Sequence, residues 1–243
     1  MRAMILAAGL GKRLRPLTYI APKPLLPIGG VPMIVHQIRA LERAGVHEFV
    51  INTAYQSAYL EAVLPSYLPS GVTVSFSREG TNETQALETL GGILAARPYL
   101  GNDPFIVVAG DILTDYPYER LVTLGRELNA ERLAHLVLVE NPAYHRSGDM
   151  VLEAQGRVYP KAARPQRPAW TFSSLGVYHP ALFEHEPCRV AKLFPWLFEK
   201  AGEKITGEVY SGYWANVGDP NEWQAAERHF EKWGSLEERV SYA

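Results

Sequence analysis

A chain of 243 residues, 47% hydrophobic and 21% charged, is long enough to bury a full core and has the ordinary balance of a globular protein. Its net charge of −2 excludes a broad basic field for nucleic acid, so any phosphorylated ligand must be held by local cations and backbone amides. The single Cys188 excludes an intrachain disulfide framework and a multi-cysteine zinc site.

The apolar run near the N-terminus meets Gly9 and Lys12 too soon for a signal peptide, and no stretch approaches the ~20 residues of a membrane span. The default is a cytoplasmic protein. No segment carries a long heptad seam, which points to a monomer.

Residues 4–8 form a continuous apolar run, the mark of a strand buried on both faces, and a Gly- and Pro-rich loop follows to about residue 32. Apolar residues at helical spacing over 34–44 predict a helix with Gly45 at its C-terminal end. A strand at 48–52, a helix at 58–64 and an alternating strand at 72–77 come next. A helix over 90–96 should end at Pro98, and 105–109 is the clearest central strand, running straight into Gly110 and Asp111.

After it, the pattern predicts a helix over 118–128 and a strand at 134–139. Alternation of strands and helices implies a mostly parallel, doubly wound sheet, which binds ligands at the carboxyl ends of its strands. From about 149 to 178 the pattern changes to short strands at 150–152, 158–159 and 171–177, joined by the Pro- and Arg-rich 161–168, which reads as an acceptor-binding insert on the main sheet. A helix near 190–200, a strand or loop around 210–217 and a helix at 222–233 close the chain. The whole reads as one domain, with residues 1–140 for nucleotide, 141–220 for acceptor and 221–243 as a C-terminal helix.

The run from Leu6, Ala7, Ala8 and Gly9 through Gly11, Lys12, Arg13 and Arg15 carries the most chemical information. Glycines after a buried strand let backbone N–H groups approach a polyanion, and arginines add charge-assisted bonds. Lys23 lies on a stiff stretch between Pro22 and Pro24. Neither a Walker A motif nor G-x-G-x-x-G is present.

The pattern G-x-G-x-R-x-x-P-x-T followed by P-K-P-x-x-P resembles the signature of the sugar-1-phosphate nucleotidyltransferases. The softer segments at 134–149, at 171–183 and around Lys192 are similar to their bacterial N-acetylmuramate α-1-phosphate uridylyltransferase branch. The resemblance implies an α/β fold of the Rossmann-like glycosyltransferase A type, with helices on both faces of the sheet and a small β insert. It implies transfer of a uridylyl group from UTP to a sugar 1-phosphate with Mg²⁺, in peptidoglycan recycling. A mannose-1-phosphate guanylyltransferase and a non-catalytic nucleotide sensor are the alternatives.

Carried onto this chain, the family's roles make Arg13, Lys23 and Asp111 catalytic, with Arg13 on the leaving pyrophosphate and Lys23 on the α-phosphate. Leu6, Ala7, Ala8, Gly9, Gly11, Lys12 and Gly110 would line the nucleotide, while Gln85, Glu88 and Thr89 lie where the family reads the base. Thr89 could equally cap a helix, and the stretch 80–84 before it is longer than in the family. Asp111 would be one metal ligand. The second falls in W-x-D-[VI]-G, where this chain has Asn216, a carbonyl oxygen without charge. Asn141, Asp149, Lys161, Ser173 and above all Lys192 are candidate acceptor contacts.

Overall fold

The chain is described here by a computed structural model over residues 1–80 and 85–233; positions 81–84 and 234–243, and with them the long pre-helical stretch and the last part of the C-terminal segment, lie outside the described residues.

In chain order the first half comprises β1 (Arg2–Leu6), α1 (Leu17–Ile20), β2 (Pro27–Ile28), β3 (Val31–Pro32), α2 (Met33–Arg43), β4 (Glu48–Thr53), α3 (Ser57–Val63), β5 (Thr73–Arg78), α4 (Glu88–Leu100) and β6 (Phe105–Ala109). The second half comprises β7 (Ile112–Thr114), α5 (Glu119–Arg126), β8 (Ala134–Val139), β9 (Met150–Leu152), β10 (Val158–Pro160), β11 (Thr171–Tyr178), α6 (Trp196–Ala201), β12 (Ile205–Tyr210), β13 (Trp214–Asn216) and α7 (Pro220–Trp233).

Seven strands make the main sheet in the order β12-β8-β11-β6-β1-β4-β5. Only β11 runs against its neighbours β6 and β8, so the mostly parallel α/β reading holds. Alternation along each strand sends side chains into two cores. Ala3, Ile5 and Ala7 of β1 and its end face the core under α2, α3 and α5. Met4 faces the core under α4 and α6. A third cluster gathers Leu14, Ile28, Met33, Leu113 and Val217 against Ala226 and Phe230 of α7.

Several elements depart from expectation, among them β12, which joins the main sheet beside β8 where no strand was expected over 205–209. β11 is no part of an insert: it enters the main sheet between β6 and β8, and only the β9–β10 hairpin stands apart. Its apolar alternation looks the same for a short insert strand and a central one, so pairing had to decide. α4 passes Pro98 and runs to Leu100, because a proline in the last turn removes a single intrahelical bond while Leu100 is buried beyond it. The expected helix over 190–200 shrinks to Trp196–Ala201, with Pro195 at its N-cap.

One buried histidine makes the fold sensitive to acid. His135 on β8 is held by Thr206 Oγ1 at 2.9 Å, and burial, helped by Arg132 and Arg120, pushes its pKa down to about 4. The unfolded chain takes up this proton near 6.5, so the unfolded state binds more protons between that value and about 4. Stability therefore falls as pH drops through that window. Urea unfolding at pH 7, 5.5 and 4.5 should show the decline, and His135→Gln should make the slope shallower.

Candidate functional site

Chain order builds the site. From β1 the sheet grows through β4 to β5, and then the chain returns to the other side of β1 as β6. Loops leaving the carboxyl ends of β1 and β6 thus diverge and open a crevice between them. Leu6 and Ala109 are partners at the last register position, and the Gly110 N–H donates to the Leu6 carbonyl at 2.9 Å.

The crevice widens into a cavity of about 620 Å³, within the usual range for a small-molecule site. Of the residues singled out from the sequence, Leu6, Ala8, Gly9, Glu88, Thr89, Asp111 and Lys192 line it. Gly11 turns the loop in the left-handed region at φ 57°, and a Cβ there would come 2.7 Å from Thr18 Cγ2 and 3.0 Å from Lys23 Cβ. Only glycine fits. Thr18 Oγ1 donates to the Gly11 carbonyl at 3.0 Å and holds the turn against α1.

Lys23 is brought beside this turn by a single helical turn that begins after Pro22. Its Nζ donates to Asp111 Oδ2 at 2.5 Å, and with side chains only 11% and 30% exposed the pair is little screened by water. Lys23 does not itself line the cavity but reaches it through Asp111. Arg13 is exposed and lies against Gly218, where an added Cβ would collide with its guanidinium. The Gly218 N–H donates to Glu222 Oε2 at 2.7 Å, so the start of α7 fixes the surface on which Arg13 rests.

Asn216 closes this side. Its strand β13 pairs antiparallel with β7, Asn216 opposite Ile112, and the Val217 N–H donates to the Asp111 carbonyl at 2.9 Å. The Asn216 Oδ1 is buried with no hydrogen-bond partner among the described residues. Buried Gln37 of α2 donates to the Ile112 carbonyl and accepts from the Tyr118 hydroxyl, anchoring the strand that follows Asp111.

The opposite wall contains two residues that sequence reasoning missed, Asn52 and Glu79. Asn52 Oδ1 accepts from the Ala7 N–H at 2.7 Å, and its Nδ2 donates to Glu79 Oε1 at 2.6 Å. Glu79 Oε2 accepts from the Leu87 N–H at 2.8 Å. Burial raises the Glu79 pKa above the usual carboxylate range, while the bonds from Leu87 and Asn52 pull it back. A signal existed: Asn52 is a polar residue inside an apolar strand, and Glu79 directly follows the carboxyl end of β5.

Thr89 does not cap α4. The Leu90 and Gly91 N–H groups donate instead to the Ala191 carbonyl at 3.0 and 3.1 Å. The same segment delivers Lys192 to the cavity. Gln85, exposed, lies outside the cavity wall; its neighbour Ala86 is the one that faces in. Ala7, Gly11, Lys12 and Gly110 also stand behind or beside the wall, not in it.

Four of the acceptor candidates lie outside the cavity lining. Asn141 is spent on the Ala169 carbonyl at 2.8 Å and the Thr171 hydroxyl at 2.9 Å. Asp149 accepts from the Phe172 N–H at 3.3 Å and meets His145 at 3.2 Å. Lys161 donates to the Arg167 carbonyl within its own loop. None of the three lines the cavity; their polar atoms knit residues 141–172 together.

Ser173 is fully buried, donating to the Val137 carbonyl at 2.6 Å and accepting from the Leu175 N–H at 3.2 Å. The register of β11 shifts between Phe172 and Leu175, and this irregularity turns Ser174, at φ 64°, into the cavity. Ser174→Ala should raise the acceptor KM several-fold with an unchanged melting temperature. Ser173→Ala should leave KM alone and cost about 1–2 kcal/mol in denaturant titration, because it strands a buried carbonyl.

A glycine-rich loop, a Lys–Asp pair and a nucleotide-sized cavity at the crevice of a doubly wound sheet define an α/β enzyme of phosphoryl chemistry. More narrowly, the chain belongs to the nucleotidyl transferase family, whose model matches residues 2–232. It is 40% identical over 220 residues to the N-acetylmuramate alpha-1-phosphate uridylyltransferase of Neisseria meningitidis serogroup B, covering 90% of this chain and 93% of that one. It is more distant from the mannose-1-phosphate guanylyltransferase catalytic subunit beta of Xenopus tropicalis, at 31% identity over 91% of this chain and 62% of that one. In three dimensions it is similar to HddC from Yersinia pseudotuberculosis, solved with GMP-PN, with a TM-score of 0.76, 23% identity and coverage of 94% and 99%. The chain is a sugar-phosphate nucleotidyltransferase.

Proposed function

We propose that the chain transfers a uridylyl group from UTP to N-acetylmuramic acid α-1-phosphate, releasing pyrophosphate and serving peptidoglycan recycling as a cytoplasmic monomer. The observation that carries the chemistry is the Lys23–Asp111 pair, set at the crevice beside a tight glycine-rich loop. The choice of uracil and muramate is supported by likeness to the Neisseria enzyme across most of both chains.

The reaction is an in-line displacement at the α-phosphorus. An oxygen of the sugar phosphate forms the new P–O bond, and the bond from the α-phosphorus to the bridging oxygen breaks, with pyrophosphate carrying away the electron pair. The attacking oxygen is already anionic, so no side chain has to remove a proton. Catalysis is positioning and charge neutralisation. Lys23 holds the α-phosphate and the incoming phosphate together, Arg13 takes the leaving pyrophosphate, and Lys192 faces the acceptor side of the cavity.

The residues fit a magnesium ion. Asp111 offers a carboxylate, and Asn216 offers a buried carbonyl oxygen that no protein donor uses among the described residues. Both are hard oxygen donors, the type Mg²⁺ prefers. Bound there, Mg²⁺ would neutralise charge between the triphosphate and the incoming phosphate. Because Asn216 brings no charge, affinity for the ion should be weak. Asn216→Asp should tighten Mg²⁺ binding about tenfold in calorimetry with UTP present; unchanged or weaker binding would remove Asn216 from the site.

The primary test is pyrophosphate release with Mg²⁺, crossing UTP, GTP, CTP and dTTP with N-acetylmuramate, N-acetylglucosamine, mannose and glucose 1-phosphates. Release restricted to UTP with the muramate ester is the expected result, and a preference for GTP with mannose 1-phosphate would overturn it. Arg13→Ala and Lys23→Ala should each lower kcat by about 100-fold or more. The melting temperature should hardly move in Arg13→Ala, whereas Lys23→Ala should also lower it, because it leaves the shielded Asp111 carboxylate unpaired. Near-normal turnover in either variant would dismiss its assigned role.

A further inference from the structure

The phosphate loop and the base-side segment belong to distant parts of the chain, yet one chain of hydrogen bonds joins them. It runs from the Ala7 N–H to Asn52 Oδ1 at 2.7 Å, from Asn52 Nδ2 to Glu79 Oε1 at 2.6 Å, and from the Leu87 N–H to Glu79 Oε2 at 2.8 Å. Ala7 lies one residue past the end of β1, so its N–H has left the strand ladder. Leu87 immediately precedes α4. Gly92 packs so closely that a Cβ on it would lie 2.5 Å from Glu79 Oε1 and 2.9 Å from Asn52 Nδ2, so α4 presses directly on the pair.

Polarity makes this chain demanding. Both ends are backbone donors, so a group between them must accept on both sides. The Ala7 N–H claims the Asn52 oxygen, which turns the Asn52 NH₂ toward Glu79. Glu79 must then receive a donor on each oxygen, and a carboxylate is the side chain that can do so. A glutamine there sets one NH₂ against either Asn52 Nδ2 or the Leu87 N–H. An aspartate at position 52 sets two carboxylates face to face.

We infer that Asn52 and Glu79 are positioning residues, a strap whose fixed polarity sets the spacing between the phosphate loop and the base-side segment, and on which nucleotide affinity depends. The inference rests on the nucleotide-binding reading of this cavity, which both residues line. It makes an unusual demand: two harmful substitutions should cure one another. In the pair N52D/E79Q, the carboxylate introduced at position 52 would accept from Ala7 and from the new glutamine NH₂, and the glutamine oxygen would accept from Leu87. Every donor again meets an acceptor with the middle link reversed.

The test uses the full chain and compares wild type, N52D, E79Q and N52D/E79Q for UTP affinity by calorimetry, for KM and kcat, for melting temperature and for amide exchange near Ala7 and Leu87 without nucleotide. Each single change should weaken UTP binding about tenfold, raise its KM more than it lowers kcat, and speed exchange at both amides. The double change should return affinity to within about threefold of wild type. Recovery of folding in the double, where a single variant fails to fold, supports the strap equally. Single variants that bind UTP normally, or a double no better than the weaker single, overturn it. If wild type prefers another triphosphate, the uracil assignment falls, and the same four proteins tested with that triphosphate decide the strap separately.

Discussion

The site depends on how closely the ends of β1 and β6 approach. Leu6 and Ala109 are register partners, and the Gly110 N–H crosses to the Leu6 carbonyl at 2.9 Å. A side chain at Gly110 would press within 3.1 Å of that carbonyl and 3.3 Å of Ile5. With no side chain between them, the two strand ends put a glycine loop and a carboxylate on opposite lips of one crevice. The cations, the second metal candidate and the base-side wall are all built outward from there.

Charge is the second theme. A chain of net charge −2 has no global field to draw in a triphosphate, so attraction must be local. The Lys23–Asp111 pair stores a cation and an anion at the crevice in mutual neutrality, shielded from water. α7 contributes by latching over the same region. Trp223 donates to the Pro27 carbonyl at 2.9 Å, Glu227 accepts from the Gly29 N–H at 3.1 Å, and Phe230 packs on Gly29. That clasp holds the β2–β3 turn and carries Gly218 to the guanidinium of Arg13, so the last described helix serves the first loop.

Much of the remaining construction consists of buried or half-buried polar side chains satisfying backbone groups at strand ends, helix starts and a β-bulge. Gln37 does this for Ile112, Asn52 for Ala7, Glu79 for Leu87, and Ser173 for Val137. Three of these groups, at Ile112, Ala7 and Leu87, adjoin in sequence residues that line the cavity, whose walls must be irregular to bind anything. A backbone carbonyl or N–H left bare at such a place would cost more than the side chain that meets it. Asn216 Oδ1 breaks the pattern: it is a buried acceptor with no protein donor among the described residues, as a ligand-binding oxygen would be.

The sequence by itself determined the buried strands β1, β4, β6 and β8, the glycine-rich loop and the place of the carboxylate at 111, because these announce themselves locally. Buried parallel strands read as apolar runs, a tight turn against a polyanion requires glycine, and a strand running into Gly110-Asp111 places its acid at a carboxyl end. The family followed from the spacing of Gly11, Arg13, Pro16, Thr18 and Lys23. What only the tertiary structure decided were features with no local mark. Whether residue 173 or 174 faces the cavity hung on one irregularity in the β8–β11 pairing. Whether Asn141 and Asp149 were free depended on partners 28 and 23 residues away. Asn52 and Glu79 acquired a role only when two separate strands, a loop and a helix met, since hydrogen-bond partnership across the fold is a property of distance in space and not of position along the chain.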